Sequence, residues 1–94
     1  MITKSIIQTF QRDGAVVVRN ALSSKWLNVI SNGIERNLLQ PSEYASENDV
    51  TEGRFFDDYV NWRRIPEYED LVRHSPAAKL AAQIMESSTA QVRM

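Results

Sequence analysis

The single histidine, His74, is the first residue to consider for metal or acid–base chemistry. Histidine-based iron or zinc sites usually take two or more histidines with a carboxylate, and Ser75-Pro76 follows His74 where a His-x-Asp motif would place an acid. Ser/His/Asp catalysis would need His74 as its base, and no nucleophile elbow is present. We therefore expect a helix C-terminal cation or a solvated side chain, with no catalytic and no metal-binding residue in this chain.

Two adjacent pairs of charged residues are the next candidates for chemistry. Asp57-Asp58 could bind a cation or act as acid and base, but both roles need convergent partners. The simpler expectation is a hydrated turn in which one aspartate caps the backbone or pairs with Arg54. Arg63-Arg64 is the only adjacent basic pair, and a solvated turn is a more ordinary explanation for it than a phosphate site.

Composition excludes several classes of function. The chain has no cysteine, so disulfides and thiolate catalysis are absent, and its three glycines lie too far apart for a phosphate-binding loop. A net charge of −1 with mixed signs gives no footprint for nucleic acid and no basic membrane patch. No apolar run approaches the length of a membrane span or of a signal peptide. We expect a cytoplasmic protein that binds neither nucleic acid nor membrane.

Ninety-four residues make one small domain, residues 1–94. Small domains bury a modest fraction of their surface, and a hydrophobic content of 43% makes a core possible without much surplus. An apolar face left exposed is a feature of interaction sites. The chain could therefore form a homo-oligomer through such a face or through an exposed strand.

The first helix and strand are predicted from spacing. Ile2, Ile6, Ile7 and Phe10 form one apolar stripe, and Asp13-Gly14 is expected to end the helix, because glycine adopts the left-handed conformation. The β-branched run after it predicts a strand over Ala15 to Arg19. This strand needs a partner for its backbone groups. Gln91 to Met94 is the candidate, within one chain or across a dimer.

A second helix is expected to begin at Asn20 or Ser23 and to end before Pro41. Its apolar stripe is Trp26, Leu27, Ile30, Ile34 and Leu38. Gly33 costs this helix about 1 kcal/mol relative to alanine; close packing against a neighbour and plain tolerance both explain it. Residues 41–53 are polar and predict a long surface loop.

Two short helices are predicted in the C-terminal third. Pro66 suits the first turn of one helix, whose acids precede its bases, as the helix dipole favours. Ser75 is expected to cap a second helix with Pro76 at its first position. The apolar side of that helix is Ala77, Leu80, Ala81, Ile84 and Met85. The predicted fold class is thus α+β, mainly helical, with a small sheet of two or three short strands.

The aromatic segment from Arg54 to Pro66 lies between the polar loop and these helices, and holds four of the eight aromatic residues. Phe55 and Phe56 point to opposite faces if the chain is extended. Phe56, Tyr59 and Trp62 are the candidate substrate-binding residues, although Phe56 and Trp62 also suit a hydrophobic core.

The order of motifs along the chain resembles the phytanoyl-CoA dioxygenase family. The similarity begins at Phe10-x-x-Asp13-Gly14 and the apolar run up to Leu22. It continues with Phe55-Phe56-x-Asp58, Trp62-x-x-Ile65-Pro66 and Ser75-Pro76. The resemblance covers most of the chain in the family's order, and each motif taken singly has low specificity.

This resemblance implies the N-terminal part of a double-stranded β-helix (jelly-roll) oxygenase that lacks the complete barrel. Family members use Fe(II) and 2-oxoglutarate, so these cofactors are expected only for a full-length relative. The family's His-x-Asp and distant His are expected beyond the reach of this sequence, which leaves this chain inactive alone. The alternative is a small standalone α+β module for protein interaction or self-association, without catalysis.

Overall fold

The protein is mainly helical, with a small sheet, in a computed structural model that describes residues 2–47, 53 and 55–91. This confirms the α+β class. The elements are α1 (Lys4–Asp13), α2 (Ser24–Leu39), β1 (Ser46–Glu47), β2 (Phe56–Asp57), α3 (Pro66–His74) and α4 (Ala77–Ile84). Helix α2 packs on α3, α3 contacts α4, and α4 contacts α1. No helix in the described part of the chain is long and apolar enough to cross a membrane.

The ends of the first helix follow from local hydrogen bonds. The Thr3 hydroxyl accepts a bond from the Ile6 N–H at 3.2 Å, which satisfies a free donor of the first turn. Gly14 has φ of 76°, and its N–H donates to the Phe10 carbonyl at 2.7 Å. The predicted end at Asp13-Gly14 is confirmed. Ser23 is the N-cap residue of α2, but its side chain makes no capping hydrogen bond.

The strand predicted over Ala15 to Arg19 is wrong. Residues 15–18 have no strand partner among the described residues, and Val17 is 72% exposed. Val16 instead lines a shallow groove with Ala81 and Ile84 of α4. This segment therefore lies beside α4 without the expected backbone ladder. Of the proposed partner, Gln91 is not in a strand, and residues 92–94 lie outside the described residues.

The buried side of α2 differs from the predicted stripe. Trp26 is buried as expected, but Leu27 is 55% exposed and Ile34 is 48% exposed. The buried positions are Trp26, Gly33 and Asn37. These residues share one face at spacings of seven and four, which is the helical period. The core-facing stripe is rotated towards Gly33 and Asn37, whose nearest neighbours include Tyr68 of α3.

The sheet forms where a loop was expected. Strands β1 and β2 are antiparallel, with Ser46 opposite Asp57 and Glu47 opposite Phe56. The prediction of a loop over residues 41–53 is thus wrong at Ser46 and Glu47, and residues 48–52 lie outside the described residues. Phe55 is exposed and Phe56 half-buried, in keeping with alternating side chains.

The start of α3 is the best-buried point of the aromatic segment. Ile65 is 1% exposed and is the N-cap residue, and Pro66 is at the first helical position as predicted. Helix α4 begins one residue later than predicted, at Ala77, whose N–H donates to the Ser75 hydroxyl at 3.2 Å. The turn at Ser75-Pro76 is the connection between α3 and α4.

Gly33 allows α2 and α3 to approach each other closely. A Cβ atom placed on Gly33 would lie 2.8 Å from Cε1 of Tyr68 and 3.0 Å from Cβ of Glu67. Arg36, one turn further along α2, pairs with Glu67 at 2.8 Å. The glycine is therefore a packing requirement, which settles the alternative left open by the sequence.

We expect Gly33→Ala to destabilise the protein by about 1–3 kcal/mol, because overpacking outweighs the gain in helix propensity. Ser31→Ala, at an exposed site of the same helix, is the matched control and should be neutral or slightly stabilising. Urea unfolding followed by far-UV circular dichroism measures both. An alanine at position 33 that stabilises the protein as much as the control would contradict close packing here.

Candidate functional site

The carboxylate of Asp58 is the centre of the most connected polar site in the described structure. Its side chain is 0% exposed. One oxygen accepts the Ser42 N–H at 2.9 Å, and the other accepts the Ser42 hydroxyl and the Tyr59 N–H. The Asn61 side chain is also hydrogen-bonded to it. The Nη2 atom of Arg64 lies 3.6 Å from the Oδ2 atom of Asp58. A carboxylate so deeply placed persists only with such compensation.

The hydrogen bonds also determine the charge of Asp58. Burial acts to raise the pKa of this carboxyl, because it penalises the charged form. The bonds from Ser42, Asn61 and Tyr59 lower the pKa and outweigh burial, so it lies below its ordinary value. Asp58 is therefore an anion at neutral pH.

Arg64 joins this carboxylate to the end of α2. Its Nε donates to the Asn61 side-chain oxygen at 2.8 Å, and its two terminal nitrogens donate to the Gln40 carbonyl at 2.6 Å and the Asn37 side-chain oxygen at 3.1 Å. Gln40 is the C-cap residue of α2, where carbonyls lack partners and a cation is favoured by the helix dipole. The guanidinium thus holds the α2 terminus against the turn that precedes α3.

The turn between Asp58 and Asn61 has an uncommon backbone. Val60 has φ of 63°, a left-handed conformation that β-branched residues rarely adopt. Such conformations persist where the surroundings over-determine them. Asp58 lies two residues before Val60, and Asn61 directly follows it. Both make side-chain hydrogen bonds. The polar contacts therefore hold the strained residue in place.

A connected group of side chains links three parts of the fold, and we call it the polar cluster. It extends to α3 because the Asn37 amide donates to the Tyr68 hydroxyl at 3.4 Å. Its members are Asn37, Ser42, Asp58, Asn61, Arg64 and Tyr68. No buried side-chain nitrogen or oxygen among the described residues lacks a partner. With its lone pairs in use, Asp58 is poorly suited to act as a general base.

The three candidate substrate-binding residues do not share one pocket. Phe56 lines a cavity of about 350 Å³ with Ile34, Leu38 and Tyr68. Tyr59 stacks on Tyr44 with ring centroids 5.2 Å apart, and both rings are exposed. Their substrate-binding role stays a prediction.

Trp62, the third candidate, lies in a separate groove of about 540 Å³ between α3 and α4. Two guanidinium groups lie over its indole ring, that of Arg63 at 4.7 Å and that of Arg73 at 5.3 Å from the ring centroid. Such contacts are cation–π interactions. Arg63 and Arg64 therefore have different neighbours, and the pair is not a simple solvated turn: Arg63 covers Trp62, whereas Arg64 belongs to the polar cluster.

His74 is in the last turn of α3, as expected of a helix C-terminal cation. Its Nδ1 lies 2.9 Å from an Asp70 oxygen, and its side chain is exposed. Within residues 2–47, 53 and 55–91, no three histidine, cysteine or acidic side chains are close enough to hold a metal ion. The described residues therefore do not fit an iron site.

Sequence reasoning missed most of the polar cluster. Asn37 continues the helical spacing of Ile30 and Ile34, and a polar residue on an apolar stripe was the available signal. Ser42 gave no comparable signal, because its partner Asp58 is sixteen residues away. Asn61 lies three residues from both Asp58 and Arg64, a local spacing that sequence reasoning overlooked.

The expectation that one aspartate of the pair caps the backbone is correct for Asp58, which accepts the N–H groups of Ser42 and Tyr59. The expected hydration is wrong for Asp58, because its side chain is 0% exposed; Arg54 lies outside the described residues.

Comparison of the chain with models of protein families, with curated proteins and with solved structures finds no match.

We expect Asp58→Asn to cost about 1–3 kcal/mol at neutral pH, because an amide cannot replace a carboxylate that accepts several bonds. The stability that Asp58 contributes is present above its unfolded-state pKa, near 3.8, and is lost as pH falls through its lower folded-state value. The variant should therefore lose less stability on acidification than the wild type does. Urea unfolding at several pH values measures this.

Asp57→Asn, at the exposed neighbouring residue, is the matched control and should keep the wild-type dependence on pH. An equal acid-side slope in the Asp58 variant and the wild type would show that the buried carboxylate is not a source of that dependence.

We expect Arg64→Lys to destabilise the protein by about 1–3 kcal/mol, since one ammonium cannot direct donors at Asn61, Gln40 and Asn37 together. For a domain of this size the midpoint of thermal unfolding should fall by about 4–8 °C per kcal/mol. Arg63→Lys keeps a cation beside Trp62 and should change stability by less than about 0.5 kcal/mol. Equal effects of the two substitutions would contradict the proposal that Arg64 holds the end of α2 against the turn before α3.

Proposed function

We propose that this chain is the N-terminal scaffold part of a phytanoyl-CoA dioxygenase-like oxygenase dependent on Fe(II) and 2-oxoglutarate. The observation that carries the proposal is the ordered set of motifs, from Phe10-x-x-Asp13-Gly14 to Ser75-Pro76. A complete protein of this kind would hydroxylate a small organic or lipid-derived substrate in a jelly-roll barrel. This chain would supply helices that flank that barrel.

The positions of the motif residues support a scaffolding role. Asp58 is the centre of the polar cluster, Ile65 is the best-buried side chain, and Ser75 caps the turn between α3 and α4. Gly14 ends α1. Each of these residues determines where a helix begins, ends or packs, and none contributes a free acid, base or metal ligand. The residues that carry the family resemblance thus have structural roles in this chain.

The iron chemistry of the family is not assigned to residues of this chain. One histidine cannot complete a site of two histidines and one carboxylate, and His74 pairs with Asp70 on the exposed side of α3. We therefore derive no reaction step here. When bound in a full-length relative, the metal and 2-oxoglutarate would supply the activation of O₂.

The coding sequence around this segment tests the proposal, because it should continue in frame to a His-x-Asp motif and a later histidine. The polypeptide so encoded should form succinate from 2-oxoglutarate when Fe(II) is present. The 94-residue chain is the matched control and should stay at the level of a metal-only blank. A stop codon directly after Met94, or turnover by the 94-residue chain, would defeat the proposal.

A second candidate function, a self-association module, is favoured by the surface of the molecule. Large apolar side chains contribute to that surface, including Val17, Leu27, Leu39 and Phe55. Exposed apolar area of this kind marks interaction sites.

A further inference from the structure

The groove beside Trp62 is a mainly apolar concavity of about 540 Å³. We call it the α3–α4 groove; Leu71 and Val72 of α3 and Ala77, Ala78 and Ala81 of α4 line it. Alanine side chains are short, so another backbone can approach closely. Its volume of about 540 Å³ is that of a surface recess able to accept side chains of a partner.

The charges of α3 beside this groove are arranged so that the helix is complementary to itself. Glu69, Val72 and Arg73 follow the spacing i, i+3, i+4 and share one face of α3. Tyr68 and Glu67 point elsewhere, since they meet Gly33 and Arg36 of α2. If two copies of α3 lie antiparallel about a two-fold axis near Val72, Glu69 of each copy faces Arg73 of the other. A two-fold interface requires such self-complementarity.

We propose that the α3–α4 groove binds a second copy of this chain, with the two α3 helices antiparallel and Val72 near the two-fold axis. The inference rests on the second of the two proposed functions. It names the partner and the surface by which that partner is bound.

The present partners of these charges are weak enough to be exchanged. Arg73 and Glu69 are paired within α3 at 3.2 Å, and their side chains are 51% and 39% exposed. The Arg73 guanidinium also lies over the Trp62 ring, 5.3 Å from its centroid. Exposed pairs of this kind contribute little, so re-pairing across an interface costs little. Arg63 at the rim stacks on Trp62 and is paired with no carboxylate among the described residues. In the dimer the acidic start of the partner's α3 would come close to it.

Charge reversal and sedimentation equilibrium test the interface. The wild type should dimerise, and Glu69→Arg or Arg73→Glu alone should weaken the dimer tenfold or more, because each places like charges opposite one another. An equimolar mixture of the two variants should dimerise like the wild type, since its facing charges are again opposite. In the mixture, positions 69 and 73 of each helix still carry like charges. The stability of the helix is therefore unchanged by mixing and cannot explain the recovery of the dimer. Far-UV circular dichroism checks that both remain folded.

A substitution in the groove provides a second measurement. Ala78→Glu places a charge in the α3–α4 groove and should weaken the dimer tenfold or more. Gln83→Glu, an exposed position of α4 outside the groove, is the matched control and should leave it unchanged. A monomeric wild type would overturn both this inference and self-association. A wild-type dimer that none of these substitutions weakens would overturn the inference alone.

Discussion

The buried charge of Asp58 is the constraint on which the middle of this structure depends. A carboxylate removed from water is costly unless hydrogen bonds and a cation compensate it. Ser42, Tyr59, Asn61 and Arg64 supply that compensation. Ser42 lies in the loop after α2, and the other three partners lie in the turn before α3. Arg64 also bonds to Asn37 and Gln40, so satisfying one carboxylate positions that loop, that turn and the end of α2 together.

Polar contacts therefore hold the elements of this chain in position, a role that an apolar core has in larger domains. Three apolar residues, Trp26, Ile65 and Ala82, are buried among the described residues. Asn37 and Asn61 are buried to a similar degree and are both bonded to Arg64. Hydrogen-bonded groups must meet at defined distances and angles, whereas apolar contacts tolerate displacement. The orientation of α2 against α3 is specified mainly by such directional contacts, with Gly33 removing the steric barrier between them.

The same distribution explains why a functional interpretation rests on scaffolding and association. The charged groups at the centre of the molecule are engaged with one another, and the aromatic residues of the central segment lie in separate places. The α3–α4 groove is mainly apolar and is bordered by stacked guanidinium groups. A surface with these properties suits contact with another polypeptide, either the remainder of a longer protein or a second copy. Scaffold and self-association proposals thus share one physical origin, the limited burial of apolar area.

Local signals in the sequence were sufficient for the four helices of the described residues and for several of their ends, but not for the two strands. Periodic apolar residues predicted the helices, Gly14 ended α1, Pro66 began α3, and the α+β class followed. The order of acids and bases placed His74 in a last turn. These features depend on residues close in sequence, where backbone preferences and hydrogen bonds act directly.

Only the tertiary structure decided which faces are buried and which polar residues meet. The run of valines after Gly14 has strand propensity, yet a strand requires a partner, and no described residue pairs with it. Asn37 is buried while Leu27 is exposed, because the position of α3 determines which side of α2 is covered. Asp58 and Ser42 are sixteen residues apart and interact only once the chain has turned back. The sequence by itself determined the helices; the strand pairing and the contacts arose from a long-range balance of burial and hydrogen bonding that local patterns do not contain.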